Sequence, residues 1–280
     1  MPQQLRRYLR VMRVQDALYS LPLLIASFRL VGHWPDVRTI VLMVVALVCG
    51  RVAALVLNRW IDRELDARNP RTRDRELAAG HVSSGEALAM LAVLLGTCTG
   101  CLYALAPRLA ALFPIALGIF VLYPYLKRFT WACNLFVGIQ LSIIPLWIWI
   151  VFHDRLPSLP LWTYALFIVA WGTGFEVIYA MADAESDREI GVHSIPVRFG
   201  LEGARRAATA AFVIALAMIA TCTLSLGATR LSVACVALLG VTFTTELWLS
   251  SRGRYIQAAH VVNGAVSTVS MGAVLLARGL

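Results

Sequence analysis

The sequence predicts an all-α polytopic membrane protein, folded as one domain over residues 1–280. Three observations predict it. The chain is 59% hydrophobic with a mean hydropathy of +0.73, too apolar for an ordinary soluble domain. Its apolar residues fall in about nine runs, each long enough to cross ~30 Å of hydrocarbon at ~1.5 Å per residue. Its positive charges lie between those runs in two very unequal groups. A bilayer core offers no water to the backbone, so runs of this kind satisfy their peptide groups as helices.

Residues 1–16 are basic and amphipathic. Leu5, Tyr8, Leu9 and Met12 share one helical face, and Arg6, Arg7, Arg10 and Arg13 occupy the others. The segment reads as an interfacial helix leading into the first span, and Arg13, nearest the membrane, can reach a phosphate. The apolar run after Ala17 reads as that span, so no cleavable signal peptide is expected. The predicted spans are 17–34, 39–57, 86–106, 109–126, 133–152, 160–181, 207–227, 231–249 and 258–277. Pro22 is expected to kink the first. Ser83-Ser-Gly-Glu86 is a capping box that starts the third. His153-Asp-Arg-Leu-Pro157 marks a short turn. The connections at 58–85 and 182–206 are longer and more polar than the rest. Each ends in a helix start, at Gly80–Glu86 and Gly200–Ala204, so the two halves look alike in outline.

Sorting the charges by side orients the chain. One side receives the N-terminal arginines, the arginines of the 58–85 loop, Lys127, Arg128 and most later arginines. The other receives only Arg38, Arg108, Arg155, Arg230 and Arg278, with Arg29 near its edge. The positive-inside rule puts the N-terminus in the cytoplasm. The formal charge of +9 then belongs to cytoplasmic loops facing anionic membrane lipid, and no nucleic-acid motif is present. The six cysteines lie in or beside apolar runs. Cys98-Thr-Gly-Cys101 has CxxC spacing but no second pair, which favours packing over metal or redox use, and no disulfide is expected.

Two acidic ladders carry the chemistry. Asn58, Asp62 and Asp66 follow the apolar run ending at Leu57 and share one helical face. Asp183 and Asp187 follow a second apolar run at the same spacing. Like charges so placed repel, and a divalent cation offsets that. Mg²⁺ takes oxygen ligands, keeps several waters and commonly shares carboxylates with a substrate phosphate. Two Mg²⁺ would roughly neutralise the four aspartates, and nearby arginines can hold the remaining phosphate oxygens bidentately. A site opening onto an apolar interior suits a diphosphate with a lipid tail. Arg51 and Glu176 each lie two turns inward of a ladder, on its face. Ionisable groups at that depth are functional candidates, and the pair is expected to meet in the cavity floor. Glu246 can pair with Arg252. His260 and Asn263 are expected to bond between helices.

The motifs Asn58-xxx-Asp62-xxx-Asp66 and Tyr179-Ala-Met-Ala-Asp183-xxx-Asp187 resemble the paired motifs of the UbiA-type intramembrane prenyltransferases. So do Asn69-Pro-Arg-Thr-Arg-Asp-Arg-Glu-Leu-Ala-Ala-Gly80, Tyr123-Pro-Tyr-Leu-Lys-Arg128 and Ile190-Gly-Val-His-Ser-Ile195. The matches run from about 55 to 200, in family order. The resemblance implies helices around a central cavity with a cytoplasmic cap. It implies Mg²⁺-dependent transfer of a prenyl group from polyprenyl diphosphate to a small aromatic acceptor. By position it makes Asp62, Asp66, Asp183 and Asp187 the metal ligands and puts Asn58, Lys127 and Arg128 beside the diphosphate. It adds Arg71 and Arg75 as phosphate contacts. The second motif looks closest to the 4-hydroxybenzoate and dihydroxynaphthoate branches, with His193 where hydroxybenzoate enzymes often carry lysine. Two rival functions share these residues. One is prenyl transfer to a glycerol phosphate lipid or a porphyrin. The other is a membrane transporter using the carboxylates as a cation site, which has no need of the arginine cluster.

Overall fold

The computed structural model describes residues 3–278, with the side chains of residues 3 and 260–263 left out; the expectations for His260 and Asn263 therefore lie outside the described residues. The described chain forms thirteen α-helices and no strand. In order they are α1 (Gln3–Met12), α2 (Val14–Leu18), α3 (Leu21–Leu30), α4 (Val37–Ile61), α5 (Arg63–Arg68), α6 (Ser84–Leu105), α7 (Pro107–Leu126), α8 (Asn134–Phe152), α9 (Leu159–Ala180), α10 (Ala184–Ile190), α11 (Ile195–Ser225), α12 (Arg230–Ser251) and α13 (Tyr255–Leu275). Eight helical segments among the described residues are long and apolar enough to cross a membrane. The protein is an integral membrane protein of all-α fold.

The predicted 17–34 span divides into α2 and α3, of five and ten residues. Ten residues rise ~15 Å, about half the hydrocarbon thickness. Pro22 does not kink a long helix. It stands in the first turn of α3, where its missing N–H has no intrahelical partner to lose. Gly32, at φ 70°, follows the other end. The 182–206 connection is more helical than its polarity suggests. A 3₁₀ turn at Met181–Asp183 leads into α10, and α11 starts at Ile195 rather than near Gly200. Ser194 and Pro196 supply that start signal, and Gly200 (φ 73°, ψ 174°) is instead a break inside the helix.

The chain divides into two units. One contains the N-terminus through Leu18, Asp36–Thr130 and Glu185–His193; the other contains Tyr19–Pro35, Trp131–Ala184 and the chain from Ser194 onward. In the first, α1, α2, α6 and α7 pack on α4. Its core takes Val11 and Ala17 from the N-terminal helices, Val52 and Val56 from α4, and Leu77 and Val82 from the loop before α6. That loop is therefore fastened by its own apolar residues. The predicted capping box closes it: Glu86 N–H donates to Ser83 Oγ at 3.2 Å, and Ser83 N–H donates to Glu86 Oε2 at 2.7 Å.

In the second unit α9 packs on α8, α11 and α13. The α8 and α9 backbones touch. A Cβ on Gly138 would lie 2.2 Å from the Val169 carbonyl oxygen, and one on Gly172 would lie 2.6 Å from Gly138 Cα. Phe212 of α11 stacks on Phe243 of α12, with ring centroids 4.5 Å apart. Glu246 does not pair with Arg252. It is fully buried with neither carboxylate oxygen bonded, while Arg252 sits over the Trp248 ring at 5.3 Å. Six residues along a helix turn ~240°, so the two side chains leave α12 in different directions.

Candidate active site

The first ladder survives a helix break. Asp62, at φ −89° and ψ 0°, ends α4 and precedes α5. Its N–H donates to the Asn58 carbonyl at 2.9 Å, and the Asp66 N–H donates to the Asp62 carbonyl at 2.8 Å. The i to i−4 register thus continues through the join, and Asn58, Asp62 and Asp66 stay on one face. Both aspartates are buried and Asn58 is half-buried. Each aspartate meets a cation. Lys127 Nζ donates to Asp62 Oδ2, and Arg75 Nη1 donates to both Asp66 oxygens, at 3.0 and 2.9 Å. Burial pushes the Asp62 carboxyl up to about 6, although the Lys127 ammonium pulls the other way. Asp62 Oδ1 is buried and has no hydrogen-bond partner.

Arg75 reaches Asp66 because the charge run before it is a folded turn, not a solvated loop. Asn69 Oδ1 accepts the Arg71 N–H at 2.9 Å, and the Asn69 carbonyl accepts the Thr72 and Arg73 N–H groups at 3.0 and 2.9 Å. Thr72 Oγ donates back to the Asp66 carbonyl at 3.0 Å. Asn69 and Thr72 are buried, and Arg71 stands exposed on the outside of the turn.

Lys127 joins the two motifs. It ends α7, where its ammonium holds Asp62 while its carbonyl accepts the His193 N–H at 2.6 Å. The Val192 N–H meanwhile donates to the Asp187 carbonyl at 2.8 Å. The segment after the second ladder is therefore anchored on the residue that touches the first. Next to it, Arg128 Nη2 donates to the Ile61 carbonyl at 3.1 Å, its guanidinium lies 5.5 Å from the Tyr125 ring centre, and its buried Nε has no partner.

Other predicted residues fall as follows. Asp187 lies half-buried in α10, in the same unit as the first ladder. Asp183 ends the 3₁₀ turn after α9 and Glu176 lies within α9; both are half-buried and belong to the other unit. Arg51 lies within α4 and its Nε is buried without a partner. Arg13 pairs with Asp16 and, among the described residues, is the non-glycine position with positive φ, at 44°.

Three contributors escape a reading of the sequence. Arg59 Nη1 donates to the Arg10 carbonyl at 2.7 Å and approaches Glu76 at 3.9 Å, while Arg10 pairs with Glu76 at 2.6 Å. These contacts clamp α1 onto the first motif. Asn134 Oδ1 accepts the Ile195 N–H at 2.9 Å. Arg59 and Glu76 look like ordinary members of a charge run, and nothing local marks Asn134 as the partner of a residue 61 positions away.

The donor set suits a hard cation and an anion together. Asp62 offers a free buried oxygen, Asp66 a second carboxylate close enough to raise the first, and Lys127, Arg75 and Arg128 surround them. Oxygen ligands of this kind fit Mg²⁺. Among the described residues no three His, Cys, Asp or Glu side chains converge into a complete metal site.

A model of the UbiA prenyltransferase family matches residues 20–265. A 4-hydroxybenzoate octaprenyltransferase from Shewanella sediminis is 29% identical over 202 residues, covering 69% of this chain and 68% of that protein. The fold superposes on the apo structure of a UbiA homolog from Aeropyrum pernix with a TM-score of 0.85 at 26% identity, covering 94% of this chain and 98% of that one. A UbiA homolog from Archaeoglobus fulgidus, bound to GPP and Mg²⁺, shares the fold with a TM-score of 0.67 at 15% identity, covering 97% and 99% of the two chains.

Proposed function

The chain belongs to the UbiA prenyltransferase family, and from that premise we propose that it transfers a polyprenyl group from polyprenyl diphosphate to an aromatic acceptor such as 4-hydroxybenzoate, in quinone biosynthesis, with Mg²⁺ as cofactor. The observation that carries the reading is the free buried Oδ1 of Asp62 beside Lys127 and the unpartnered Nε of Arg128. A buried polar atom without a partner costs about 1–3 kcal/mol. Atoms of both signs kept so, at one helix end, favour a ligand bearing both a cation and an anion.

Asp62 and Asp66 would hold Mg²⁺ from the first ladder, with Asp183 and Asp187 from the second. A metal held there would supply positive charge against the diphosphate as it leaves. Arg128 and Lys127 hold the diphosphate oxygens, and Arg75, released from Asp66, follows that charge. The apolar spans exclude water from the allylic cation left when the C–O bond breaks. The aromatic ring attacks that cation and then loses its ring proton. Arg51, inside a span and with a buried Nε that has no partner, suits the carboxylate of a benzoate acceptor. Charge asymmetry supports a cytoplasmic N-terminus, with the site's polar opening on the same face.

The test is direct. Protein in liposomes, given Mg²⁺, polyprenyl diphosphate and 4-hydroxybenzoate, is expected to form the prenylated acid, and EDTA or Asp62→Ala is expected to abolish it. Undiminished transfer in EDTA or by Asp62→Ala would overturn the metal role. Diphosphate release with another aromatic acceptor alone would replace 4-hydroxybenzoate and keep the chemistry.

A further inference from the structure

We infer that Asn134 is a positioning residue for the second acidic segment, acting through the start of α11. The inference rests on the proposed prenyl transfer at the aspartates.

The first turn of a helix leaves its leading N–H groups without intrahelical acceptors. At α11 every one is accounted for. Pro196 has no N–H. The Val197 N–H donates to Ser194 Oγ at 3.4 Å, and the Arg198 N–H to the Ser194 carbonyl at 2.9 Å. That leaves the Ile195 N–H, which donates to Asn134 Oδ1 at 2.9 Å. Asn134 is 2% exposed, and Ser194 and Ile195 are buried too, so water does not stand in. Asn134 opens α8, and no side chain caps that helix in turn. Its amide is therefore free to serve another element. A second contact supports the same docking: the Trp131 and Phe199 rings meet edge to face at 5.4 Å.

The consequence lies two residues upstream. His193 N–H is on the Lys127 carbonyl, and Val192 N–H is on the Asp187 carbonyl. Gly191, at φ 78°, turns the chain between α10 and these anchors. The stretch from Asp187 to α11 is thus held at His193 and again at Ile195. Without the second hold, the start of α11 loses a buried anchor, and the stretch running back to Asp187 gains freedom at its far end. Lys127, whose ammonium touches Asp62, receives the first hold, so slack in this stretch is felt where the metal is to be shared.

Two substitutions separate this from a bland packing role. Asn134→Leu keeps the volume and removes the acceptor. Asn134→Asp keeps an acceptor oxygen at the first position of a helix, where a carboxylate is tolerated. In full-length protein in nanodiscs without metal, Asn134→Leu is expected to speed backbone amide exchange across 187–197 about tenfold or more, and Asn134→Asp is expected to leave it near wild type. In turnover, Asn134→Leu is expected to raise the Mg²⁺ concentration for half-maximal rate about tenfold, with the KM for the aromatic acceptor unchanged. Asn134→Asp is expected to stay within about twofold of wild type. If Asn134→Leu does not fold, Asn134→Ser, too short to reach Ile195, takes its place. The inference is overturned if the folded acceptor-less variant exchanges and binds Mg²⁺ like wild type, or if Asn134→Asp is damaged equally. Wild-type protein that shows no Mg²⁺-dependent diphosphate release would instead sink the functional reading, and the exchange measurement on Asn134 would still stand.

Discussion

Replacing Asp62 by Asn is expected to stabilise the protein while abolishing transfer. The Asp62 carboxyl is 3% exposed, and burial raises it from 3.8 to about 6 even with the Lys127 ammonium against it. A carboxyl raised in this way holds its proton longer in the folded state. Below about pH 4 it is neutral folded or unfolded and carries no penalty. Between about pH 4 and 6 stability falls as pH rises, and above about pH 6 the full penalty remains. At ~1.4 kcal/mol per pH unit, the interval from 3.8 to about 6 is worth about 3 kcal/mol. Asparagine has nearly the same shape and no charge, so it removes that penalty. Lys127 keeps a side chain 21% exposed and can turn toward water. Thermal unfolding in EDTA, followed by tryptophan fluorescence, is the assay. At pH 8 Asp62→Asn is expected to melt several degrees above wild type, and at pH 4 the two are expected to coincide. A variant that melts below wild type at pH 8 would show that the Lys127 pair outweighs burial, and the reasoning would fail.

Three further outcomes follow from the same geometry. Gly138→Ala puts a methyl 2.2 Å from the Val169 carbonyl oxygen, so α8 and α9 must part; a loss of about 2–3 kcal/mol or more is expected as a lower melting temperature. Glu246→Leu replaces a buried carboxyl that has no partner, and a gain of about 1–3 kcal/mol in thermal unfolding is expected with transfer rates unchanged. Lys127→Ala is expected to lower kcat/KM for the prenyl diphosphate by about a hundredfold, because in the proposed site its ammonium serves both Asp62 and the diphosphate; steady-state kinetics at saturating acceptor checks it.

The spans were legible because hydropathy in a bilayer is a one-dimensional problem: a run either satisfies its own backbone across the hydrocarbon or it does not. The capping box at Ser83 and the four-residue spacing of Asn58, Asp62 and Asp66 are local too, and both appear as read. Where the outcome turned on one residue's conformation, hydropathy misled. Pro22 begins α3 rather than bending a longer helix, and Gly200 interrupts a helix that Ser194 and Pro196 had already begun. Contacts between distant segments were out of reach. Lys127 reads as a span-end lysine, and only the fold shows its ammonium on Asp62 and its carbonyl on His193. Glu246 shows the reverse error. Its nearest cation in sequence, Arg252, proved irrelevant because helical phase, not proximity along the chain, decides who meets whom.

The buried polar atoms left without partners carry the strongest argument about where the chemistry is. Among the described residues they belong to Arg51, Trp60, Asp62, Arg128 and Glu246. Glu246 stands alone in α12. The other four lie in one unit, on α4, just past its end, or just past the end of α7. Each such atom opposes folding, and a sequence shaped for stability alone would replace it or pair it. Packing defects have no reason to gather in one unit along α4 and past the end of α7, nor to include both a free carboxylate oxygen and a free guanidinium N–H. A ligand that needs both does. The acidic ladder alone would be satisfied by a cation, and the arginines alone by a phosphate. Their interleaving, with Lys127 on Asp62 and Arg75 on Asp66, favours a metal and a diphosphate arriving as one charge-balanced unit, with the tail left to the apolar spans.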